Sequence, residues 1–362
     1  MIEISLILVI LSFIPPTYLI LSSKLSHRLE PNISDGDMPE FSIILPVRNE
    51  SSNIERKIAE LILLFEGKAD KLIIIDSNSE DRTHVIAKNI LKSRNPNMKW
   101  EVICTEKIGK SKAINHILDI IKTPWFIMFD ADASIEKSSV KYLINWMQDS
   151  TCGAVCGAHK NIDDNSSYRK RFNLIRTYES YNDSSTIFEG SFCAIRLAAL
   201  KGDKLIETIN ADDTQFALMV KRNGYRAIFE SRAVFYDQEP TKYWSKIKRN
   251  VRRSQGLIRV FWTNKDMASI KDKFGRSLLH SIYFYIIFPW FFILSYTLLI
   301  FDLIFMNSYF YFSVPLLIII FSCFAILNFN FVKNFFNGII SLILAQISLI
   351  LGLKYNSWTP ER

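Results

Sequence analysis

The chain opens and closes on long apolar runs, and between them short apolar runs recur in a regular rhythm. Residues 41–47 (FSIILPV), 71–75, 100–104 and 125–129 are largely apolar stretches of strand length bounded by polar residues. Residues 51–65, 82–91 and 110–121 instead repeat their apolar positions at helical spacing, as Ile54, Ile58, Leu61 and Phe65 do. Strand and helix in alternation predict an α/β fold, a mostly parallel sheet with helices on both faces. Ligands of such sheets bind beyond the carboxyl ends of the strands. Three of those ends are polar: Pro46 leads to Arg48 and Glu50, the second strand ends at Asp76, and the fourth at Asp130 and Asp132.

Side chains two apart along a strand point the same way, so Asp130 and Asp132 in FDADAS face one spot. Two hard oxygen ligands suit Mg²⁺ or Mn²⁺ held together with substrate phosphates. Asp76 either hydrogen-bonds a ribose or base edge or, in Asp-Ser-Asn-Ser, forms a helix-capping turn. Lys110 and Lys112 in GKSKAIN begin a helix whose amides attract phosphate, or simply a solvated helix start. Asp212 and Asp213 begin a helix that stops at Gly224. One carboxylate is enough to cap it, and the second is available as a general base toward a hydroxyl. The first strand lacks the Gly-x-Gly-x-x-Gly turn of a dinucleotide fold, which argues against a dehydrogenase.

The ends of the chain predict a membrane. Residues 4–21 carry no charge, and Lys24, His27 and Arg28 follow them, so residues 1–23 read as an uncleaved anchor and 24–40 as a linker. The positive-inside bias puts the body of the chain in the cytoplasm. Apolar runs at 278–301, 309–329 and 335–353 predict three more spans within 278–353, followed by a tail, 354–362. The loop at 302–308 lacks Lys and Arg and the next turn holds Lys333, as an outside and then an inside loop should. Four crossings nevertheless leave Lys354 and Arg362 outside, against the rule. One segment is therefore expected to lie in the interface, with the break at Pro289. Ahead of the spans, residues 242–270 read as a basic amphipathic helix on the membrane surface, with Lys242, Lys246, Lys248, Arg249, Arg252, Arg253 and Arg259 on a face opposite its apolar positions.

Composition agrees with this picture. The 362 residues are 49% apolar with a mean hydropathy of +0.11. The net charge of +8 is gathered beside membrane segments, so it predicts anionic lipids and anionic substrates and no nucleic acid. Five scattered cysteines predict buried thiols; Cys152 and Cys156 have no second pair to complete a zinc site.

Taken together, SIILPVRNE, IIIDSNSEDRT, GKSKAIN, FDADAS, ADDTQFAL with RNGYR, and RNVRRSQG resemble, in order and spacing, the inverting family 2 glycosyltransferases of the GT-A fold. That group contains cellulose, chitin and hyaluronan synthases, ceramide glucosyltransferase and dolichyl-phosphate sugar transferases. The resemblance implies a Rossmann-like GT-A domain over 41–241, flanked by transmembrane helices in a multi-pass protein of the cell membrane, its catalytic domain cytoplasmic. It implies that Pro46, Arg48, Glu50, Asp76, Lys110, Asp130 and Asp132 serve a nucleotide-sugar donor, with Asp132 and Asp130 on Mg²⁺ or Mn²⁺. Asp213 matches the catalytic base. Arg249, Arg252 and Arg253 match the Gln/Arg-x-x-Arg-Trp motif on the diphosphate and acceptor side, with Arg253 in the place of the tryptophan. That departure, with the few spans, points to single addition onto a lipid-linked or glycan acceptor, and the resemblance itself implies a UDP-sugar as the donor. The alternatives are a processive polysaccharide synthase and a catalytically inactive donor-binding partner subunit.

Overall fold

The computed structural model describes residues 29–33, 38–160, 167–237, 242–305 and 330–353, with short helical pieces between 315 and 323. The anchor (1–23), most of the 309–329 segment and the tail (354–362) lie outside the described residues. The strands are β1 Phe41–Val47, β2 Lys71–Ser77, β3 Lys99–Thr105, β4 Trp125–Phe129, β5 Ser134–Ile135, β6 Cys152–Lys160, β7 Phe192–Arg196 and β8 Arg226–Tyr236. They form one sheet in the order β3-β2-β1-β4-β7-β6-β8-β5. The helices are α1 Ile54–Phe65, α2 Thr83–Arg94, α3 Lys110–Leu118, α4 Val140–Gln148, α5 Ser167–Asn182, α6 Asp212–Arg222, α7 Tyr243–Thr263, α8 Lys273–Ile282, α9 Phe288–Phe305 and α10 Asn330–Ile350.

Alternation along the strands feeds two cores. Ile43, Leu45, Leu72 and Ile74 meet α1, α2 and α4 on one face, while Ile44, Ile73 and Ile75 meet Ile114 and Ile117 of α3 and Phe216 of α6 on the other. Both faces are therefore covered, as the continuous apolar runs require.

The sheet is more mixed than the sequence pattern predicts. β3, β2, β1 and β4 are parallel, but β7 enters antiparallel between β4 and β6. Its first residue, Phe192, pairs with Phe129, the last of β4. The residues just ahead of β7 consequently stand beside those just after β4. Because β6 is antiparallel to β7 and β8 is parallel to β6, the end of β8 opens onto the same edge. Cys152, Cys156 and Cys193 are buried in these strands, and burial pushes the Cys152 thiol up to about 12.

Helix α7 does not lie bare on a membrane. One side abuts the domain: a Cβ on Gly256 would stand 1.5 Å from the Asn210 carbonyl oxygen, and Arg259 donates to the Thr208 carbonyl. Its apolar residues Ile247, Val251 and Ile258 pack against Leu342 and Ala345 of α10. Gly256→Ala is therefore expected to cost about 1–3 kcal/mol by overpacking and to move the α7 arginines away from the domain. Thermal unfolding, read beside donor affinity, checks both effects.

Pro289 does not end the membrane-type helix. The chain passes from α8 through a π-helical turn, Tyr283–Ile287, directly into α9. A proline at 289 has no N–H for the Tyr285 carbonyl and crowds it. Gln346 of α10 supplies the missing donor, reaching the Tyr285 and Ile286 carbonyls at 3.1 Å each.

Candidate active site

The loops after β1 and β2 are laced together. Ser79 Oγ accepts from the Asn49 amide, Thr83 Oγ1 from the Glu50 amide and Asp81 from the Ser51 amide. Asn49, Asn78 and Arg82 adopt left-handed backbone here, with φ of 55°, 57° and 62°. Asparagine tolerates that region; for arginine it is strained. Asp76 is buried, and its Oδ1 accepts from the Ser79 amide at 2.7 Å, the turn-forming role. Its Oδ2 has no hydrogen-bond partner and lies 3.8 Å from His84 Nδ1.

Lys110, the first residue of α3, reaches into a cluster of carboxylates. Its ammonium reaches Asp130 Oδ1 at 2.8 Å and stands 3.2 Å from Asp212 Oδ2. Burial alone would lower its pKa, but Asp130 and Asp212 hold it well above the usual value. In return, Lys110 and the Ser191 hydroxyl, 2.8 Å from Asp130 Oδ2, outweigh burial and keep Asp130 low. Asp213 takes the opposite shift: withdrawal from water and the neighbouring Asp212 raise it to about 7, against the pull of Lys110. A catalytic base with this property predicts an acid limb near pH 7 in kcat/KM, falling about tenfold per pH unit below it. A profile flat down to pH 5 would speak against Asp213 as the base.

Asp237, directly after β8, lies beside Asp132. Burial and the Asp132 charge raise Asp237 to about 6, and burial with Asp130 raises Asp132. Asp237 Oδ1 is buried without a partner, while Oδ2 lies 3.7 Å from Arg253. Two crowded carboxylates with an orphaned oxygen fit Mg²⁺ or Mn²⁺, which accept one or two carboxylates and complete their shell from phosphates and water. Among the described residues no three metal-binding side chains converge in advance.

A single cleft of about 960 Å³ gathers Pro46, Glu50, Lys110, Asp130, Asp132, Asp213, Arg249, Arg252 and Arg253 along its walls. Arg48 and Asp76 stand outside that lining. Sequence reasoning missed Asp237, although a carboxylate following a buried strand is the signal that exposes Asp130. It also missed the acid clamp opposite: Glu189 is held by Arg169 at 3.2 Å and by Arg176, and the two arginines outweigh burial and hold Glu189 at about 2. Nothing in the spacing of these three residues announces the contact. At its far end the cleft runs between α7 and the polar side of α10, along Asn334, Asn337 and Ser341.

Two family models match the chain: Glycosyl transferase family 2 over residues 42–207 and Glycosyl transferase family group 2 over 125–331. The Probable glycosyltransferase YdaM of Bacillus subtilis is 27% identical over 248 residues, 62% of this chain and 57% of that one. The Poly-beta-1,6-N-acetyl-D-glucosamine synthase of Staphylococcus aureus is 23% identical over 255 residues, 66% of this chain and 61% of that one. The chain thus spans about three fifths of the length of these relatives. The fold matches the mannosyltransferase PcManGT from Pyrobaculum calidifontis, solved with GDP-Man and Mn²⁺, with a TM-score of 0.84 at 20% identity over 97% of this chain and 99% of that one.

Proposed function

The chain belongs to glycosyl transferase family 2, and from that membership we propose an inverting, metal-assisted enzyme of the cell membrane that moves one sugar from a nucleotide-sugar to a membrane-borne acceptor. The observation that carries the proposal is the continuity of the cleft, from the Glu50 and Lys110 end, past Asp130, Asp132 and Asp213, to the polar side of α10. Donor and acceptor then approach from opposite ends and meet at Asp213.

Asp213 takes the proton of the acceptor hydroxyl as its oxygen attacks the anomeric carbon. The carbon–oxygen bond to the diphosphate breaks on the opposite face, so the configuration inverts. Lys110 holds Asp130 in its ionised form and stands beside Asp212. The cationic side chains of Arg249, Arg252 and Arg253 line the cleft on the leaving-group side and offset its growing charge. Asp132 and Asp237 would hold Mg²⁺ or Mn²⁺, which supplies Lewis-acid stabilisation of the departing diphosphate.

A lipid-linked acceptor is favoured over a free glycan because the cleft ends on a membrane-type helix. The polysaccharide-synthase reading has the Staphylococcus relative on its side; product length separates the two. The test is nucleoside diphosphate release by the protein in nanodiscs, across UDP- and GDP-sugars with Mn²⁺ or Mg²⁺ and total lipid extract. Metal-dependent release with a new glycolipid is expected. Donor binding without turnover for every sugar would favour the inactive-partner reading.

A further inference from the structure

Helix α10 has the length and apolarity of a span, yet its packing differs from that of α9. It runs lengthwise beside α7: Tyr243 Oη donates to Asn337 Oδ1 at 3.0 Å near one end, and Gln255 Nε2 donates to Ser348 Oγ at 2.6 Å and to the Leu353 carbonyl at 2.9 Å near the other. From Asn337 to its end at Ile350 that is about 20 Å of helix at 1.5 Å per residue, about two thirds of the thickness of a hydrocarbon core. Over that length its neighbour is a helix bearing Lys246, Lys248, Arg249, Arg252, Arg253 and Arg259, whose other side rests on the catalytic domain. Such a helix cannot enter hydrocarbon, and α10 shares its depth.

The side chains of α10 divide accordingly. Asn334, Asn337 and Ser341 line the cleft, and Gln346 and Ser348 bond inward. Ile340, Leu344 and Ile347 of α10, with Leu351 directly past its end, recur at spacings of four, three and four and are 46%, 42%, 39% and 67% exposed. The exposed apolar residues of α9, among them Trp290, Phe291, Ile293, Leu294, Phe301 and Ile304, cover a wider face, about half of the helix, with Phe288 and Phe292 buried on the other side. Basic residues stand at both ends of α10, Lys333 in its first turn and Lys354 beyond its last.

Resting on the membrane reading above, we propose that α10 lies in the plane of the cytoplasmic leaflet, with Ile340, Leu344, Ile347 and Leu351 in the boundary between headgroups and acyl chains. An in-plane amphipathic helix buries one apolar face at that boundary and keeps its basic ends in the anionic headgroups. The charge conflict in the sequence then disappears. With α10 not crossing, Lys333, Lys354 and Arg362 all remain on the catalytic side. The cleft end at Asn334 and Asn337 opens at headgroup depth, where the head of a lipid acceptor enters sideways from the leaflet.

The test is membrane depth by spin labelling of the full chain in nanodiscs. Cys104 and Cys323, the two exposed cysteines, are replaced by serine, and Ile340→Cys, Leu344→Cys, Ile347→Cys and Leu351→Cys are labelled one at a time. Retained nucleotide binding verifies that each variant folds. Four labels at one shallow depth are expected, with accessibility to oxygen above that to a water-soluble nickel chelate. A depth that changes steadily by about 16 Å from 340 to 351 at 1.5 Å per residue would overturn the proposal and leave the membrane reading intact. Four labels fully accessible to the nickel chelate and not to oxygen would overturn the membrane reading itself.

Discussion

Asp213→Asn lowers sugar transfer by about a thousandfold, within the usual range for loss of a general base, and leaves donor affinity within about threefold. Asparagine keeps the shape of the side chain and removes the basic oxygen that receives the proton. The donor side should be little disturbed, because the ionic contacts around it belong to other residues: Lys110 stays on Asp130 and near Asp212. Burial and the repulsion from Asp212 together raise Asp213 to about 7, and the substitution relieves both, so the fold has no reason to weaken. Initial rates with calorimetric donor binding measure both quantities. More than a tenth of wild-type transfer in the variant would place the base elsewhere.

Asp132→Ala separates metal from charge by the sign of its effect. With Mn²⁺ present, donor affinity falls by at least about tenfold, because one of two carboxylates available to the cation is lost. With chelator present, affinity stays level or improves, since a negative charge facing the diphosphate has gone. Asp237→Asn follows the same pattern if its unpartnered oxygen belongs to the cation. Equal losses with and without metal would instead mean that Asp132 shapes the loop.

The sequence made the first half of the domain legible because β1 and β4 are continuous apolar runs that end abruptly in polar residues. Period and punctuation carry that information. β7 was not legible as an antiparallel insertion, since a five-residue strand bears no mark of its direction. The contact between Lys110 and Asp130 joins residues twenty apart, and that between Lys110 and Asp212 joins residues still further apart. The motifs named these residues, but only the sheet shows that the lysine meets both acids. Membrane segments carried the same weakness. Apolarity alone gives α9 and α10 one reading, whereas the polar side of α10 becomes meaningful once Gln255 and Tyr243 are found against it. Asp237 was within reach of the rule that found Asp130, and it was missed because no motif surrounds it.

The measurement closest to the central claim is the anomeric configuration of the first product, read by proton NMR after transfer from an α-linked nucleotide-sugar in nanodiscs. A β-linked sugar on a lipid acceptor, formed by the wild-type protein and absent with Asp213→Asn, is the result that a single displacement with Asp213 as base predicts. An α-linked product would contradict it and require a second displacement that this cleft has not been assigned.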